Sequence, residues 1–363
     1  MKYIDEFRQK KQAQGILEKI RSISKRPVSI MEICGTHTHS ISKYGIREAL
    51  PANIRLISGP GCPVCVTSAA DINRIIDFSK SRSDVIIATF GDMMRVPGSH
   101  SSLQEERARG GDIRVVYSPL NSLDIARANP DKEVVLYAVG FETTAPTVAA
   151  TILSAREEGI KNLSVLSLHK LTPPAMKALL DSGEVEINGF ICPGHVTAII
   201  GAKAYEFLAS TYKSPCVVAG FEPIDAILGL YMLVKQLEEN RCEIEIQYNR
   251  VVTWDGNQKA QEVIDEVFEP GDSLWRGVGM IPSSGLKIRN AYADFDAERK
   301  FTIKKGVDAE PPGCLCGSVL KGIITPDKCP LFGKTCTPER PVGPCMVSSE
   351  GTCAAFYKYR RVE

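Results

Sequence analysis

The chain has 363 residues, 44% hydrophobic and 24% charged, which suits a globular protein with a substantial core and roughly two or three domains. Lys and Arg number 44 against 43 Asp and Glu, so the net charge of +1 carries no basic surplus for a nucleic-acid partner. No apolar run approaches the roughly 18 residues of a membrane span, and the charged N-terminus is unlike a signal peptide. A soluble, cytoplasmic protein is therefore expected, in which twelve cysteines serve as metal ligands or redox groups rather than structural disulfides.

Residues 1–27 predict an amphipathic helix with Ile4, Phe7, Ile16, Leu17, Ile20 and Ile23 on its apolar side. Short runs rich in Val, Ile and Leu follow: Val28–Ile33, Ile54–Ser58, Val85–Thr89, Ile113–Tyr117, Val134–Val139, Leu163–Leu168, Gly189–Ile191 and Cys216–Ala219. Such runs suit strands buried on both faces. Helical stretches lie between them: Ser68–Ser79, Ser101–Arg109, Thr147–Glu158, Pro173–Ser182 and Ala198–Thr211. The alternation predicts an α/β fold of two similar domains with parallel sheets facing a cleft, over 28–125 and 133–240. Five strand ends run into Gly- or Pro-containing loops: SGPGCPVCVT, TFGDMMRVPGS, VGFETTAPT, CPGHVTAIIG and AGFEP. Ligands of open α/β sheets gather beyond the carboxyl ends of strands, so these loops are expected to line that cleft.

A C-terminal region, 243–363, has a different texture. EIEIQYNRVV alternates like a strand, DGNQKAQEVIDEVFE reads as a turn and a helix, and WRGVGMIPSSGLKIR reads as irregular. After the linker EPPG, six cysteines fall in the last 50 residues: Cys314, Cys316, Cys329, Cys336, Cys345 and Cys353. Pro and Gly fill the gaps, so this segment lacks core formers and needs a metal or crosslinks to fold. Irregular spacing without a C-x2–4-C knuckle favours an iron–sulfur cluster plus two spare thiols over zinc or disulfides.

Chemistry-bearing residues concentrate at the N-terminal strand ends. Cys62 and Cys65 form a C-P-V-C pair after a strand, read as a thioredoxin-type dithiol or as half of a metal site. A helix N-terminus beside them is expected to lower a thiol pKa. Cys34 has no local cysteine partner but lies near His37 and His39, which suits a nucleophile or an open-site ligand. His195 and Glu142, on other strand-end loops, are candidate proton carriers. Cys192, Cys216 and Cys242, with Met93 and Met94, read as packing residues. No G-x-G-x-x-G or Walker A pattern supports a nucleotide cofactor.

In order along nearly the whole chain, EICGTHTHSISKYGI, SGPGCPVC, GFETTAPT, CPGHVTAIIG, AGFEP and CPLFGKTCTPERPVGPCMVSSEGTCAA resemble the HypD family of nickel–iron hydrogenase maturation proteins. The resemblance implies a scaffold that works with a small HypC-type partner to assemble an iron carrying two cyanides and a carbon monoxide. It implies cyanide delivery by a HypE-type protein and transfer of the finished unit to the hydrogenase large-subunit precursor. By the same resemblance, Cys34 holds the scaffold iron and Cys62 with Cys65 is a redox pair. Cys314, Cys329, Cys336 and Cys353 would ligate a 4Fe-4S cluster, with Cys316 and Cys345 as a second thiol pair. The competing reading is a stand-alone iron–sulfur thiol–disulfide oxidoreductase.

Overall fold

The computed structural model describes residues 8–304 and 306–359. The N-terminal helix runs Lys10–Ile23 and buries Leu17 and Ile20; Ile4 and Phe7 lie outside the described residues. Eleven strands follow among the described residues: β1 (Val28–Glu32), β2 (Ile54–Ser58), β3 (Val85–Thr89), β4 (Ile113–Val115), β5 (Glu133–Gly140), β6 (Leu163–His169), β7 (Gly189–Pro193), β8 (Cys216–Ala219), β9 (Ile244–Ile246), β10 (Phe268–Trp275) and β11 (Gly279–Ile288). The first eight coincide with the apolar runs because Val, Ile and Leu cluster where both sheet faces are covered.

Two all-parallel sheets form the α/β body, in the orders β2-β1-β7-β8-β9 and β4-β3-β5-β6. The expected division at 28–125 and 133–240 does not match them. The chain lays down β1 and β2, crosses to build the whole second sheet over 85–169, then returns to complete the first. The physical reason is the pairing of β1 with β7, Ile30 opposite Gly189 and Glu32 opposite Ile191, which closes the first sheet around its earliest strand. Leu17 and Ile20 of the N-terminal helix join Leu230 and Leu233 of helix Pro223–Glu238 in the core beneath this sheet.

Two further expectations are corrected. WRGVGMIPSSGLKIR is not irregular: β10 and β11 make an antiparallel hairpin whose turn uses Gly277 and Gly279, both at positive φ. Its glycines and Pro282 mask an alternation that tertiary pairing enforces. Ala198–Thr211 is not one helix. It breaks at Gly201 (φ +80°), where an added Cβ would lie 2.4 Å from Trp254 O, so helix Gly194–Ile200 stops and short turns continue to Ser210.

The hairpin clamps the body. Arg276 N–H donates to Val66 O (2.9 Å) and its Nε to Thr67 O (2.9 Å), while Leu171 N–H donates to Ser284 O (2.8 Å). The tail packs across both sheets with little regular structure beyond helices Cys316–Leu320 and Thr352–Tyr359.

Candidate functional site

Parallel pairing puts all carboxyl ends of the first sheet on one side, and this alone brings Cys34, Cys62, His195 and Phe221 together. Cys34 follows β1 as the N-cap of helix Gly35–Lys43. Cys62 follows β2 as the N-cap of the single turn Pro63–Val66, with Cys65 inside that turn. The two loops are stitched: Gly35 N–H donates to Gly61 O (2.8 Å), and a Cβ on Gly61 would lie 2.1 Å from Cys34 N. Only glycine permits that approach.

Cys34 is buried, and its Sγ lies 3.8 Å from His195 Nδ1 at the start of helix Gly194–Ile200. Burial pushes its thiol well above the usual range, partly offset by the His37 backbone N–H at the helix start. A metal-free Cys34 is therefore a protonated thiol rather than a standing thiolate. His37, one turn on, is also buried; its Nε2–H donates to Gly220 O (2.8 Å), and Nδ1 has no hydrogen-bond partner among the described residues. Burial lowers the pKa of His37 and of His195 to about 4, so both rings are neutral. Both pack against Phe221, at ring distances of 4.9 and 5.1 Å. The second candidate near Cys34, His39, is turned to the tail instead: Nδ1–H donates to Ser349 O (3.1 Å), and Tyr359 Oη–H reaches Nε2 (3.3 Å).

Three groups of this site were not among the candidate residues read from the sequence. Glu32, the last residue of β1, is buried and accepts from Cys34 N–H (3.0 Å) and from Thr38 Oγ1; burial raises its pKa to about 7. Glu350 reaches in from the tail to accept from Thr36 Oγ1 (2.6 Å). Gln247 bonds Gly220 N–H and Asp225, and Arg250 pairs with Asp225, so the carbonyl holding His37 has a fixed support. A lone acid inside the apolar run VSIMEIC was the signal for Glu32; the other two depend on contacts between residues far apart in the chain.

Glu142 is carried by the other sheet. It follows β5 in the second sheet and accepts from Thr172 N–H (2.6 Å) and Thr172 Oγ1 (2.9 Å), which anchors helix Thr172–Ser182. Burial raises its carboxyl to about 7.

The dithiol leads into the tail. Cys62 and Cys65 Sγ atoms are 2.7 Å apart. The lowered thiol pKa expected from a helix N-terminus is not found at Cys65: burial and its contacts with Cys345 and Cys62 push the value up. Cys345 is the depressed one, held down by the thiols of Cys316, Cys353 and Cys65, which all meet it. Beyond it, Cys314, Cys316, Cys329, Cys336 and Cys353 line a single pocket. Gly343 forms its floor; a Cβ there would sit 2.7 Å from both Cys314 Sγ and Cys316 Sγ. Cys316 thus faces the pocket and Cys345 at once, while Cys345 lies on the Cys65 side. Cys192 and Cys216 are core residues, as the sequence implied, but Cys242 is only half-buried.

Among the described residues, no group of three or more His, Cys, Asp or Glu is gathered tightly enough for a single metal ion. The donor set of the tail still fits a cluster, which spreads soft thiolates around a cube instead of converging on one point, in a pocket kept clear by a glycine.

The fold and site define a parallel α/β protein in which two loop-borne thiol centres on one sheet abut a cysteine-lined tail. Residues 11–360 match the family model HypD, described as the hydrogenase formation hypA family. The chain is 48% identical over 371 residues to hydrogenase maturation factor HypD2 of Bradyrhizobium diazoefficiens, covering 99% of this chain and 97% of that one. It is 47% identical to HypD of Azotobacter vinelandii (99% and 97% covered) and 44% identical to HypD of Escherichia coli K12 (100% and 99%). The chain belongs to the HypD family, whose role is in hydrogenase maturation. No helix among the described residues is long and apolar enough to cross a membrane.

Proposed function

We propose that this protein is the assembly scaffold for the iron dicyanide carbonyl group of nickel–iron hydrogenase. It would act with a small HypC-type partner, receive cyanide from a HypE-type protein, and release the finished unit to the large-subunit precursor. The observation that carries this reading is the convergence at one sheet end of Cys34, backed by His195, with the Cys62–Cys65 dithiol stitched beside it.

Iron is the cargo. Cys34 binds it as a thiolate, a strong donor to electron-rich low-spin iron. Its proton must leave on metal binding, and His195 Nδ1, at 3.8 Å and neutral, is placed to take it. His37 does not donate outward, because its Nε2 proton is committed to Gly220 O; it props the helix start and Phe221 instead. Glu32 holds the Cys34 backbone, so the sulfur keeps its direction while cargo is exchanged. The HypC-type partner docks at the His195 side, the partly open side of the site, where its own donor completes the iron coordination.

A resident 4Fe-4S cluster on Cys314, Cys329, Cys336 and Cys353 would supply one-electron chemistry when bound. Cys316 and Cys345 link that pocket to Cys65, a contiguous run of thiols placed for thiol–disulfide exchange. Infrared spectroscopy of the protein co-purified with its small partner tests the reading. Cyanide and carbonyl stretches are expected on the complex; iron-loaded complex without either band would refute it.

A further inference from the structure

The cysteine pocket of the tail has two unlike sides. Cys316, Cys345 and Cys353 are buried, and Cys316 and Cys353 meet Cys345, which in turn meets Cys65. Cys314 and Cys329 are only half-buried, on the side facing solvent. Around them lies an outward apolar rim: Leu315 (37% exposed), half-buried Leu331 and Phe332, and Tyr357 (41% exposed). These are neighbours in space. A Cβ on Gly313 would contact Leu331 at 3.6 Å, one on Gly333 would contact Tyr357 at 3.8 Å, and the Phe332 ring meets Tyr357 edge-on.

Lysines frame this rim. Lys328 and Lys334 bracket the loop that presents Leu331 and Phe332, and Lys358 follows Tyr357; all three are exposed. Residues 314–359 hold five Lys or Arg against three Asp or Glu. One of the three, Glu350, is turned inward onto Thr36, so it does not face a partner. Asp327 pairs with Lys328 at 3.8 Å, and the third, Glu339, is exposed and set toward Thr337 and Arg95. Nothing comparable surrounds Cys62, Cys65 or Cys345, which are buried.

An apolar centre ringed by cations, over the accessible edge of a thiol pocket, is complementary to a protein with an acidic face. Resting on the reading that the pocket holds an iron–sulfur cluster, we infer that this face is the docking surface for a small acidic electron-carrier protein. The chain has no nucleotide- or dinucleotide-binding motif from which a soluble cofactor could serve the pocket. Lys328 and Lys334 steer and orient the carrier, and Leu331, Phe332 and Tyr357 form the desolvated contact.

The test uses full-length, anaerobically purified protein and an acidic two-iron ferredoxin as the probe, with binding measured by calorimetry. Saturable binding is expected at low salt, weakening steeply as salt is raised. The double variant Lys328→Glu, Lys334→Glu should bind roughly tenfold more weakly, with Lys328→Gln, Lys334→Gln in between. Iron and sulfide content, measured on each sample, should not change. Equal binding by wild type and the Glu variant, or no binding by cluster-loaded wild type, would overturn the docking surface. Binding displaced only by substitutions around His195 would assign the carrier to another face and overturn it equally. Protein without iron or sulfide that still binds through these lysines would instead break the cluster reading and leave the surface standing.

Discussion

Cys34 owes its chemistry to where β1 ends. Strand geometry delivers it to the sheet edge, Glu32 fixes its backbone, and His195 faces its sulfur. It is buried, so its substitution tests packing as well as ligation. Serine is close in size and has His195 as a hydrogen-bond partner, so Cys34→Ser should cost only about 1–2 kcal/mol. The same variant should lose the cyanide and carbonyl infrared bands of the partner complex while keeping the iron and sulfide of the tail. Full-intensity bands would move the ligand to Cys62 or Cys65. Glu142 gives a separate test of a buried carboxyl. Its folded pKa, about 7, lies above the ordinary 4.5, so its stabilising contribution is complete below pH 4.5 and is lost as pH rises through 7. Glu142→Gln keeps an acceptor for Thr172 N–H and removes the charge. Urea unfolding across this range should show wild type losing about 3 kcal/mol relative to the variant. Parallel pH profiles would mean that the carboxyl is not desolvated.

At the scale of elements, the decisive contact is between two loops from adjacent strands. Gly61 lets the C-P-V-C turn lie on the Cys34 backbone, so the dithiol and Cys34 move as one body. Gly61→Ala has no flexible side chain to displace, only backbone. It should destabilise by about 2–3 kcal/mol in chemical denaturation and spread the two loops. The expected signature is reduced iron retention by Cys34 with the tail cluster intact; wild-type stability and iron binding together would contradict the close approach. The hairpin β10–β11 plays the complementary part, because Arg276 hydrogen-bonds the residues just after Cys65 and ion-pairs with Glu310 at the entrance to the tail.

For the whole molecule, the tail is held less by its own core than by what it touches. Arg55 donates to Gly322 O (2.8 Å), Arg95 to Pro338 O (2.6 Å) and Thr36 to Glu350 (2.6 Å), so its anchors come from both sheets. If its cysteines hold the proposed cluster, a segment this poor in regular structure should depend on it. Cys353→Ser should therefore lose inorganic sulfide and most of its iron, and limited proteolysis should then cut within 314–359 while the sheets survive. Stoichiometric zinc with no sulfide in wild type would refute the cluster. Intact tail protection in the cluster-free variant would show that the anchors suffice.

Much of this was legible in the amino-acid order. Strands β1 to β8 announce themselves because a parallel sheet buried on both faces demands unbroken Val, Ile and Leu. Cys34, Cys62, Cys65, His195 and the tail cysteines stand out because Gly and Pro loops follow those strands. The hairpin did not announce itself: its glycines and proline resemble a loop, and only pairing across the body makes it extended. Nor did the order of strands, since β1 chooses β7 by long-range fit, which local pattern does not encode. That single pairing brings His195 beside Cys34. Residue types and their loops follow from the sequence; which of them share a site follows from sheet order, because hydrogen-bonded neighbours in a parallel sheet come from segments the chain itself keeps far apart.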